Sequence, residues 1–306
     1  MLPSGIFLWK NGRAPDVPPT SAADLASVHS GWAADVDAFG PWDREVREGG
    51  NVFLAGSDGG DGPAMVAVHR CATSMVAARS LADSGALGPW GCLVAAEQTQ
   101  GRGQLRRPWV STPGNLHVSI VLPAPPESGE WSRALSGLWP LVAGYLFSTV
   151  LRDRGAFLQI KWPNDLLQSG RKVGGILIEE AKGVVILGMG LNLAGAPSDG
   201  QMREDHSVPA GILEIPDGPS TAFALCRTLV TCGKRVYENL LDDLTPSRFL
   251  ARVANRLAWF GQPVLVREGG EGEYRAIVKG LSSDGGLVLS LGARETVLYS
   301  GSIFPL

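Results

Sequence analysis

The stretch EQTQGRGQLRRPWVSTPGNLHVS, residues 97–119, lies between two apolar segments, 93–96 and 116–122, that each have the composition of a β-strand. Near its middle the loop between them contains Gly101 and Gly103 together with three arginines, which are Arg102, Arg106 and Arg107. Glycine lets a backbone approach a ligand closely, and the planar fork of arginine fits carboxylates and phosphates. The stretch therefore predicts a basic loop that holds an anionic ligand. The alternative is a solvated surface loop with scattered arginines.

A second stretch, KWPNDLLQSGRKVGGILIE at residues 161–179, has the pattern of strand, turn and strand. We predict strands over 157–162 and 173–179, with the turn at 163–165. Lys161 then lies at a strand end, beside a proline that the middle of a sheet would not accommodate. A lysine there can reach a phosphate or a carboxylate as a compact charge, whereas an isolated lysine is usually an ordinary surface residue.

Four short motifs follow one another along the chain: GRGQLRRPW at 101–109, KWPND at 161–165, RKVGGIL at 171–177 and GMGLN at 188–192. Together they resemble the biotin protein ligases, within the wider biotin/lipoate ligase superfamily. The resemblance covers roughly residues 64–306. It implies an α+β fold in which a mixed or antiparallel sheet is flanked by helices, as in class II aminoacyl-tRNA synthetases and biotin ligases. A small C-terminal SH3-like β-barrel is expected to follow.

The activity that this resemblance implies is a two-step, ATP-dependent ligation. The carboxylate of biotin attacks the α-phosphate of ATP to give biotinyl-5′-AMP, and a lysine of the biotin carboxyl carrier protein then attacks the mixed anhydride. Lys161 and Arg102 are the implied catalytic residues, and Mg²⁺ is expected to accompany ATP. Two alternatives stay open: a lipoate or octanoate ligase, and a non-catalytic ligand- or carrier-binding protein of the same fold.

The resemblance also implies the binding residues. Those for biotin are Thr73, Ser74, Gln98, Gly101, Arg102, Gly103 and Gln104. Those for the nucleotide are Arg107, Trp109, Asn164, Lys172 and Asn192. An amide such as Gln98 offers both a donor and an acceptor to the ureido ring of biotin. Helix capping is the structural alternative for Thr73 and Ser74, and we predict no metal ligands from the protein.

The chain departs from the family pattern at two places. The Ser-Thr-Asn triplet of the family stands here as ATS at 72–74, and its GRGRRGR loop stands as GRGQLRR. Gln104 and Leu105 replace two arginines and Arg106 replaces a glycine, so the loop has one positive charge fewer and less backbone freedom. We therefore expect weaker closure over the adenylate and faster loss of this intermediate.

Two glycines, Gly188 and Gly190, alternate along a predicted strand over 183–193. They leave one face of the strand without side chains, so a flat ligand could lie against it. The resemblance places the adenylate beside this strand, with Asn192 reading the adenine. A crowded crossing of strand and helix is the structural alternative.

Periodicity along the rest of the chain predicts further elements. Helices are predicted over 75–84, 134–155 and 221–241, and barrel strands over 264–266, 274–281, 286–291 and 296–299. Pro140 is expected to begin or kink the second helix. We predict three domains: a Pro- and Gly-containing leader at 1–62, the catalytic domain at 63–258, and the barrel at 259–306.

The leader carries few basic residues, which are Lys10, Arg13, Arg44 and Arg47, and its acidic residues outnumber them. Some biotin ligases begin with a DNA-binding winged helix, but residues 1–62 show no clear helix-turn-helix pattern and are net negative. We therefore expect no DNA binding. The tryptophans and phenylalanines of the leader argue against disorder and predict that it packs on the main domain or on a partner.

The overall composition fits a globular protein of 306 residues, with 44% hydrophobic residues and a formal charge of −3. This charge offers no general attraction to nucleic acid or to membranes. The four cysteines lack metal-ligand spacing and are expected to be buried thiols. With no signal-peptide pattern, these features predict a cytoplasmic protein, either a monomer or a homodimer.

Overall fold

The computed structural model describes residues 1–57, 62–104, 107–198, 208–218, 221–268 and 272–306. Leu105 and Arg106, two of the altered loop positions, lie outside the described residues, as does His206, which the sequence indicates as a surface histidine.

The described chain forms fifteen strands and six helices. In chain order they are β1 Gly5–Asn11, α1 Ala22–Val28, α2 Ser30–Phe39, β2 Arg44–Glu48, β3 Asn51–Ala55, β4 Ala64–Cys71, α3 Ser74–Asp83, β5 Cys92–Gln98, β6 Leu116–Val121, α4 Trp131–Arg152, β7 Gln159–Lys161, β8 Asp165–Gln168, β9 Arg171–Ala181, β10 Val184–Leu191, α5 Ala222–Asp243, α6 Pro246–Ala254, β11 Pro263–Arg267, β12 Glu273–Leu281, β13 Leu287–Leu291, β14 Arg294–Leu298 and β15 Ser302–Pro305.

These elements divide into two compact units. The first unit comprises Met1–Ala124, Gly174–Ala196 and Ile212–Lys234, and the second comprises Pro125–Val173, Pro197–Gly211 and Arg235–Leu306. The predicted domain boundaries after residues 62 and 258 stay predictions. They fall in the connections between β3 and β4 and between α6 and β11.

A mixed sheet is the frame of the first unit, with its strands in the order β2-β3-β1-β4-β5-β6-β10-β9. β4 is parallel to both β1 and β5, and the remaining neighbours are antiparallel. Parallel neighbours need a crossover connection, and α3 supplies it between β4 and β5. The crossover places the ends of the two strands together, so that Cys71 lies opposite Gln98. The predicted mixed sheet with flanking helices is confirmed.

The leader is part of this sheet. β1 pairs with β4 so that Ile6 lies opposite Met65. Trp9 and Phe53 are almost completely buried in the same apolar cluster as Leu81 of α3. The expectation that the leader packs on the main domain is confirmed, because its strands bury aromatic side chains against that domain. Its two helices, α1 and α2, were not predicted from the sequence.

Helix α4 differs from the expectation at Pro140. The helix begins at Trp131 and runs through Pro140 without interruption, so the proline neither starts nor ends it. Most of the helix is buried, and this packing outweighs the hydrogen bond that proline cannot donate. By length and composition alone α4 could cross a membrane, but 72% of its most apolar window is buried inside the fold, as in the core helix of a globular protein.

The second unit contains a five-stranded antiparallel sheet with the strand order β14-β13-β12-β11-β15. This confirms the predicted C-terminal barrel and adds a fifth strand, β15, that the sequence pattern did not predict. Alternate residues of β12 are buried, Val278 among them, as expected for a sheet with one inward face. β7 and β8 form a short hairpin in the same unit, with Lys161 opposite Asp165.

All four cysteines are free thiols, and three of them are buried. Burial raises the pKa of Cys71 to about 12, so this thiol is protonated and unreactive at neutral pH. The predicted buried thiols are thereby confirmed for Cys71, Cys92 and Cys226, while Cys232 is half-buried.

Asp35 of α2 links the leader to helix α5. Its carboxylate is buried and accepts a hydrogen bond of 2.9 Å from the backbone N–H of Phe223, in the first turn of α5. Burial raises the pKa of Asp35, and bonds from Phe223 and Thr221 partly oppose that rise. Asp35 therefore acts as an N-terminal cap supplied by a distant part of the chain.

We predict that Asp35→Ala lowers the free energy of unfolding by about 2 kcal/mol, because the amides of α5 lose their acceptor while buried. Urea unfolding of the full chain measures this change. The control is Asp37→Ala, two residues along the same helix and exposed, which should have little effect. Equal effects of the two substitutions would show that Asp35 does not cap α5.

Candidate active site

Gln98 is held by a chain of hydrogen bonds at the ends of β4 and β5. The backbone N–H of Ser74 donates to its Oε1 at 2.9 Å, and the Ser74 hydroxyl donates to the same oxygen at 3.0 Å. The hydroxyls of Ser74 and Ser119 lie 2.8 Å apart, and both serines are buried. A backbone N–H can only donate, so the atom that faces it must be the carbonyl oxygen of Gln98. The amide nitrogen then lies near Gly101, where a Cβ would be 3.5 Å away.

Thr73 caps helix α3, as the structural alternative predicted. Its hydroxyl accepts a hydrogen bond of 3.2 Å from the N–H of Met75. A hydroxyl that accepts in this way can still donate its own proton. Capping and ligand binding are therefore compatible at this residue.

Sequence reasoning missed two polar residues behind Gln98. The hydroxyl of Ser111 accepts from the backbone N–H of Gln98 at 3.0 Å and lies 3.2 Å from Nδ1 of His117. His117 is buried, and its burial lowers its pKa to about 4 although a hydrogen bond with the backbone of Ala95 opposes this shift. The imidazole is therefore neutral at pH 7. The signal was present, because His117 and Ser119 alternate in an otherwise apolar strand and so share one face.

The basic loop folds back on itself. The N–H of Gly103 donates to the carbonyl of Arg107 at 2.7 Å, and the N–H of Trp109 donates to that of Gly101 at 2.9 Å. Arg102 is exposed, and Gln104 and Arg107 are half-buried. Among the described residues, neither Arg102 nor Arg107 forms an ion pair. The loop therefore presents two guanidinium groups without a carboxylate to neutralise them.

The glycine face of β10 is covered by the protein itself, which corrects the expectation of an open face. A methyl group at Gly190 would lie 2.3 Å from the indole of Trp109, and one at Gly188 would lie 2.7 Å from the sulfur of Met75. The flat group on this face is thus a tryptophan, and close packing of the indole requires the glycine. A ligand could occupy the face only after one of these side chains moved.

Asn192 lies at the end of β10 and is almost fully buried. The amide nitrogen of Asn115, a residue that sequence reasoning missed, donates to its Oδ1 at 3.4 Å. The Oδ1 of Asn115 accepts from the three successive backbone N–H groups of residues 193–195, at 2.9 to 3.1 Å. One buried amide therefore fixes the turn that follows Asn192.

In the second unit, two lysines share one carboxylate. Nζ of Lys161 lies 3.0 Å from Oδ2 of Asp165, and Nζ of Lys172 lies 2.6 Å from its Oδ1. The side chains of Lys161 and Asp165 are each only 13% exposed. Burial alone would raise the pKa of Asp165, but the charges of Lys172 and Lys161 outweigh it and lower the pKa to about 2. Two ammonium groups therefore meet at one buried carboxylate, and ammonium groups are partners that suit an anionic ligand.

The local fold explains this arrangement. Lys161 ends β7 and Asp165 begins β8, so the hairpin register places them opposite each other, with Asn164 half-buried in the turn between them. Lys172, near the start of β9, is fixed through its backbone by bonds of 2.8 and 2.9 Å with Pro209 and Gly211.

The predicted site residues thus fall into two groups. The first unit contains Thr73, Ser74, Gln98, Gly101, Arg102, Gly103, Gln104, Arg107, Trp109 and Asn192, and the second contains Lys161, Asn164 and Lys172. Within the first unit, hydrogen bonds join Ser74 to Gln98. Within the second, Asp165 joins the two lysines.

We predict that Asp165→Asn lowers stability in a pH-dependent way. The pKa of Asp165 in the folded protein lies below the ordinary value of 3.8 for this group, so its charge stabilises the fold above pH 3.8, by about 2 kcal/mol, and this contribution is lost as the pH falls toward 2. Urea unfolding should show a difference between native protein and variant at pH 6 that shrinks at pH 3. Asp242→Asn, an exposed carboxylate of the same unit, should show no such trend. A pH-independent difference would contradict the role of the charge.

We predict that Gly190→Ala destabilises the protein by about 2 kcal/mol, because the added methyl group overlaps the indole of Trp109. In a Trp109→Ala background the same change should cost less than about 0.5 kcal/mol, since the overlap is gone. Urea unfolding of the four proteins gives the coupling energy. Equal costs in the two backgrounds would show that the indole does not occupy this face.

Comparison with known proteins identifies the family. Residues 84–194 match the biotin/lipoate A/B protein ligase family, and residues 260–304 match the biotin protein ligase C-terminal domain. The biotin–[acetyl-CoA-carboxylase] ligase of Paracoccus denitrificans is 32% identical over 69% of this chain and 89% of its own length, and that of Mycobacterium tuberculosis is 29% identical over 70% and 78%. The biotin protein ligase of Aquifex aeolicus in complex with biotin and ATP has a similar fold, with a TM-score of 0.62 at 24% identity over 78% of this chain and 97% of that structure. The chain therefore belongs to the biotin protein ligases of the biotin/lipoate A/B protein ligase family.

Proposed function

We propose that this chain activates biotin with ATP to form biotinyl-5′-AMP and transfers the biotinyl group to a lysine of a biotin carboxyl carrier protein. The observation that carries the proposal is the pair of ammonium groups on Asp165, at 3.0 and 2.6 Å. A carboxylate and a triphosphate repel each other, so the first step needs cations already in place. The carboxylate oxygen forms a bond to the α-phosphorus, and pyrophosphate leaves.

The role of Lys161 follows from its charge and its fixed position. It pairs with the anionic oxygens of the carboxylate and the α-phosphate, and its charge counts most in the transition state, where these anions are closest. Asp165 holds the ammonium group without consuming all three of its N–H donors. Lys172 and Asn164 contribute further donors to the nucleotide phosphates.

Biotin recognition rests on the residues of the first unit. Gln98 and the buried serine hydroxyls bind the ureido ring, because an uncharged polar ring that leaves water needs such partners. Arg102 and Arg107, together with the backbone of the loop at Gly101, Gly103 and Gln104, neutralise and enclose the adenylate. Asn192 and Trp109 contact the nucleotide. The indole of Trp109 moves away from Gly190 if the adenine binds there.

Mg²⁺ is proposed to arrive with the nucleotide. Among the described residues, no group of three or more His, Cys, Asp or Glu side chains is arranged to hold a metal ion. The carboxylate of Asp165 already pairs with two ammonium groups. The ion would therefore be held chiefly by the phosphates, as Mg²⁺ in nucleotide sites commonly is. Because the four thiols are free, we also propose that the chain works in a reducing compartment such as the cytoplasm.

The buried polar network favours biotin over the rival substrates of the superfamily. Octanoate and lipoate have no polar head group that would pair with the amide of Gln98, and enclosing this amide against an alkyl chain would leave it without a partner. A ligand-binding protein without activity would not need a pair of ammonium groups to bring a carboxylate and a phosphate together.

We predict ATP–pyrophosphate exchange that depends on biotin and requires Mg²⁺. Lys161→Ala should lower this exchange about a hundredfold, as expected when a charged contact worth about 3 kcal/mol in the transition state is lost. The measurement is incorporation of labelled pyrophosphate into ATP with biotin, lipoate and octanoate in turn.

The control is Lys279→Ala, an exposed lysine of β12, which should leave exchange unchanged. Exchange with lipoate or octanoate but not with biotin would assign the chain to the rival enzymes. No exchange with any of the three would favour a binding protein. Parallel losses of melting temperature and activity in Lys161→Ala would mark Lys161 as structural.

A further inference from the structure

The C-terminal barrel contacts the hairpin that carries Lys161. The indole N–H of Trp162 donates to the backbone carbonyl of Gly285, in the turn between β12 and β13, at 2.9 Å. Trp162 is 4% exposed, so this bond is shielded from water. The residue next to Lys161 is therefore tied to the barrel by a buried hydrogen bond.

The turn between β12 and β13 that contains Gly285 is held in place by its packing against helix α4. Gly285 has a φ of +87°, and a methyl group there would lie 2.8 Å from Leu138 and 3.3 Å from Leu141 of helix α4. The position therefore requires glycine for both its conformation and its space. Because the turn lies against the buried helix, the carbonyl that receives the Trp162 bond has little freedom to move.

A second contact reaches Lys161 directly. Its ammonium nitrogen lies 5.8 Å from the centroid of the Phe304 ring, on the last barrel strand, β15. Phe304 is 5% exposed and the Lys161 side chain 13%. Among the described residues of the second unit, the neighbours of the ammonium group include the carboxylate of Asp165 and the ring of Phe304.

These two neighbours act differently on the charge. A carboxylate neutralises an ammonium group, whereas an aromatic ring attracts it through its quadrupole and leaves the positive charge in place. Arg267 lies over the same ring, 5.5 Å from its centroid, and forms an ion pair with Glu273. The ring thus restrains Lys161 without reducing the charge that an anionic substrate would need.

We propose that Phe304 is a positioning residue for Lys161, so that the barrel takes part in forming biotinyl-5′-AMP. This inference rests on the proposed function of Lys161. Phe304 contributes no reacting atom: it narrows the range of orientations that the ammonium group adopts between the ring and Asp165.

The test compares Phe304→Leu, which removes the ring but keeps an apolar side chain, with Phe304→Tyr, which keeps the ring. Phe304→Leu should lower kcat for biotin-dependent pyrophosphate exchange about five- to tenfold and leave KM nearly unchanged, and Phe304→Tyr should retain most of the activity. Leu289→Ala, a buried position of β13 in the same barrel, is the control for loss of barrel stability. It should lower the melting temperature at least as much as Phe304→Leu with no comparable loss of kcat.

A second measurement does not depend on activity. Limited acetylation of the full chain, followed by peptide mass spectrometry, gives the labelling rate of Lys161. That rate should rise about threefold in Phe304→Leu and stay unchanged in Phe304→Tyr and Leu289→Ala.

Unchanged labelling in Phe304→Leu would overturn the inference, as would equal losses of kcat in the Leu and Tyr variants or in Leu289→Ala. Absence of biotin-dependent exchange in the native protein, with the labelling difference present, would overturn the proposed function and leave the restraint by Phe304 supported.

Discussion

The parallel pairing of β4 with β5 is the constraint on which the first unit depends. Two parallel neighbours cannot be joined by a tight turn, so the chain must cross over, and α3 is that crossover. The crossover helix starts at Ser74, three residues after β4 ends at Cys71, and the partner strand ends at Gln98. Strand direction therefore brings the first residue of a helix beside the last residue of a strand. The two hydrogen bonds from Ser74 to the carbonyl of Gln98 follow from this topology.

The hydrogen bonds around Gln98 are important for holding its side chain because the groups that form them are buried. Ser74, Ser119 and His117 are each at most 3% exposed, and in such surroundings an unpaired polar atom costs more than a hydrogen bond contributes in water. The network therefore holds Gln98 in one orientation, with its carbonyl engaged and its nitrogen toward the loop. The same principle applies to Asn115, whose buried amide fixes the turn after β10.

In the second unit, the arrangement of side chains around Asp165 depends on charge as well as on hydrogen bonding. Asp165 would be costly to bury as an isolated anion, and its two lysines would repel each other without it. Together they form an ion-paired cluster, in which the hairpin register of β7 and β8 places Lys161 opposite Asp165. The barrel adds a neutral ring at Phe304 and a hydrogen-bond acceptor at Gly285. The ammonium group of Lys161 thus lies between a carboxylate and an aromatic ring.

The sequence by itself determined the family, the mixed sheet, the barrel and most of the candidate site residues. Short motifs and alternating apolar residues are local patterns, and a local pattern can be recognised without knowing how distant parts of the chain pack. The tertiary structure alone decided which groups pair. In the sequence, Asp165 is simply the last residue of the KWPND motif. In the structure, the pairing of β7 with β8 and the position of the start of β9 place Lys161 and Lys172 beside it. The glycine face at Gly190 suggested an open platform, but Trp109 covers it, since packing depends on residues that are distant in the chain. The leader shows the same limit of sequence analysis. Its composition indicated an atypical segment, whereas in the structure its strands complete the sheet and its Asp35 caps α5. Such contacts join residues up to 188 positions apart, and no local pattern records them, because they arise only when burial selects one arrangement of the whole chain.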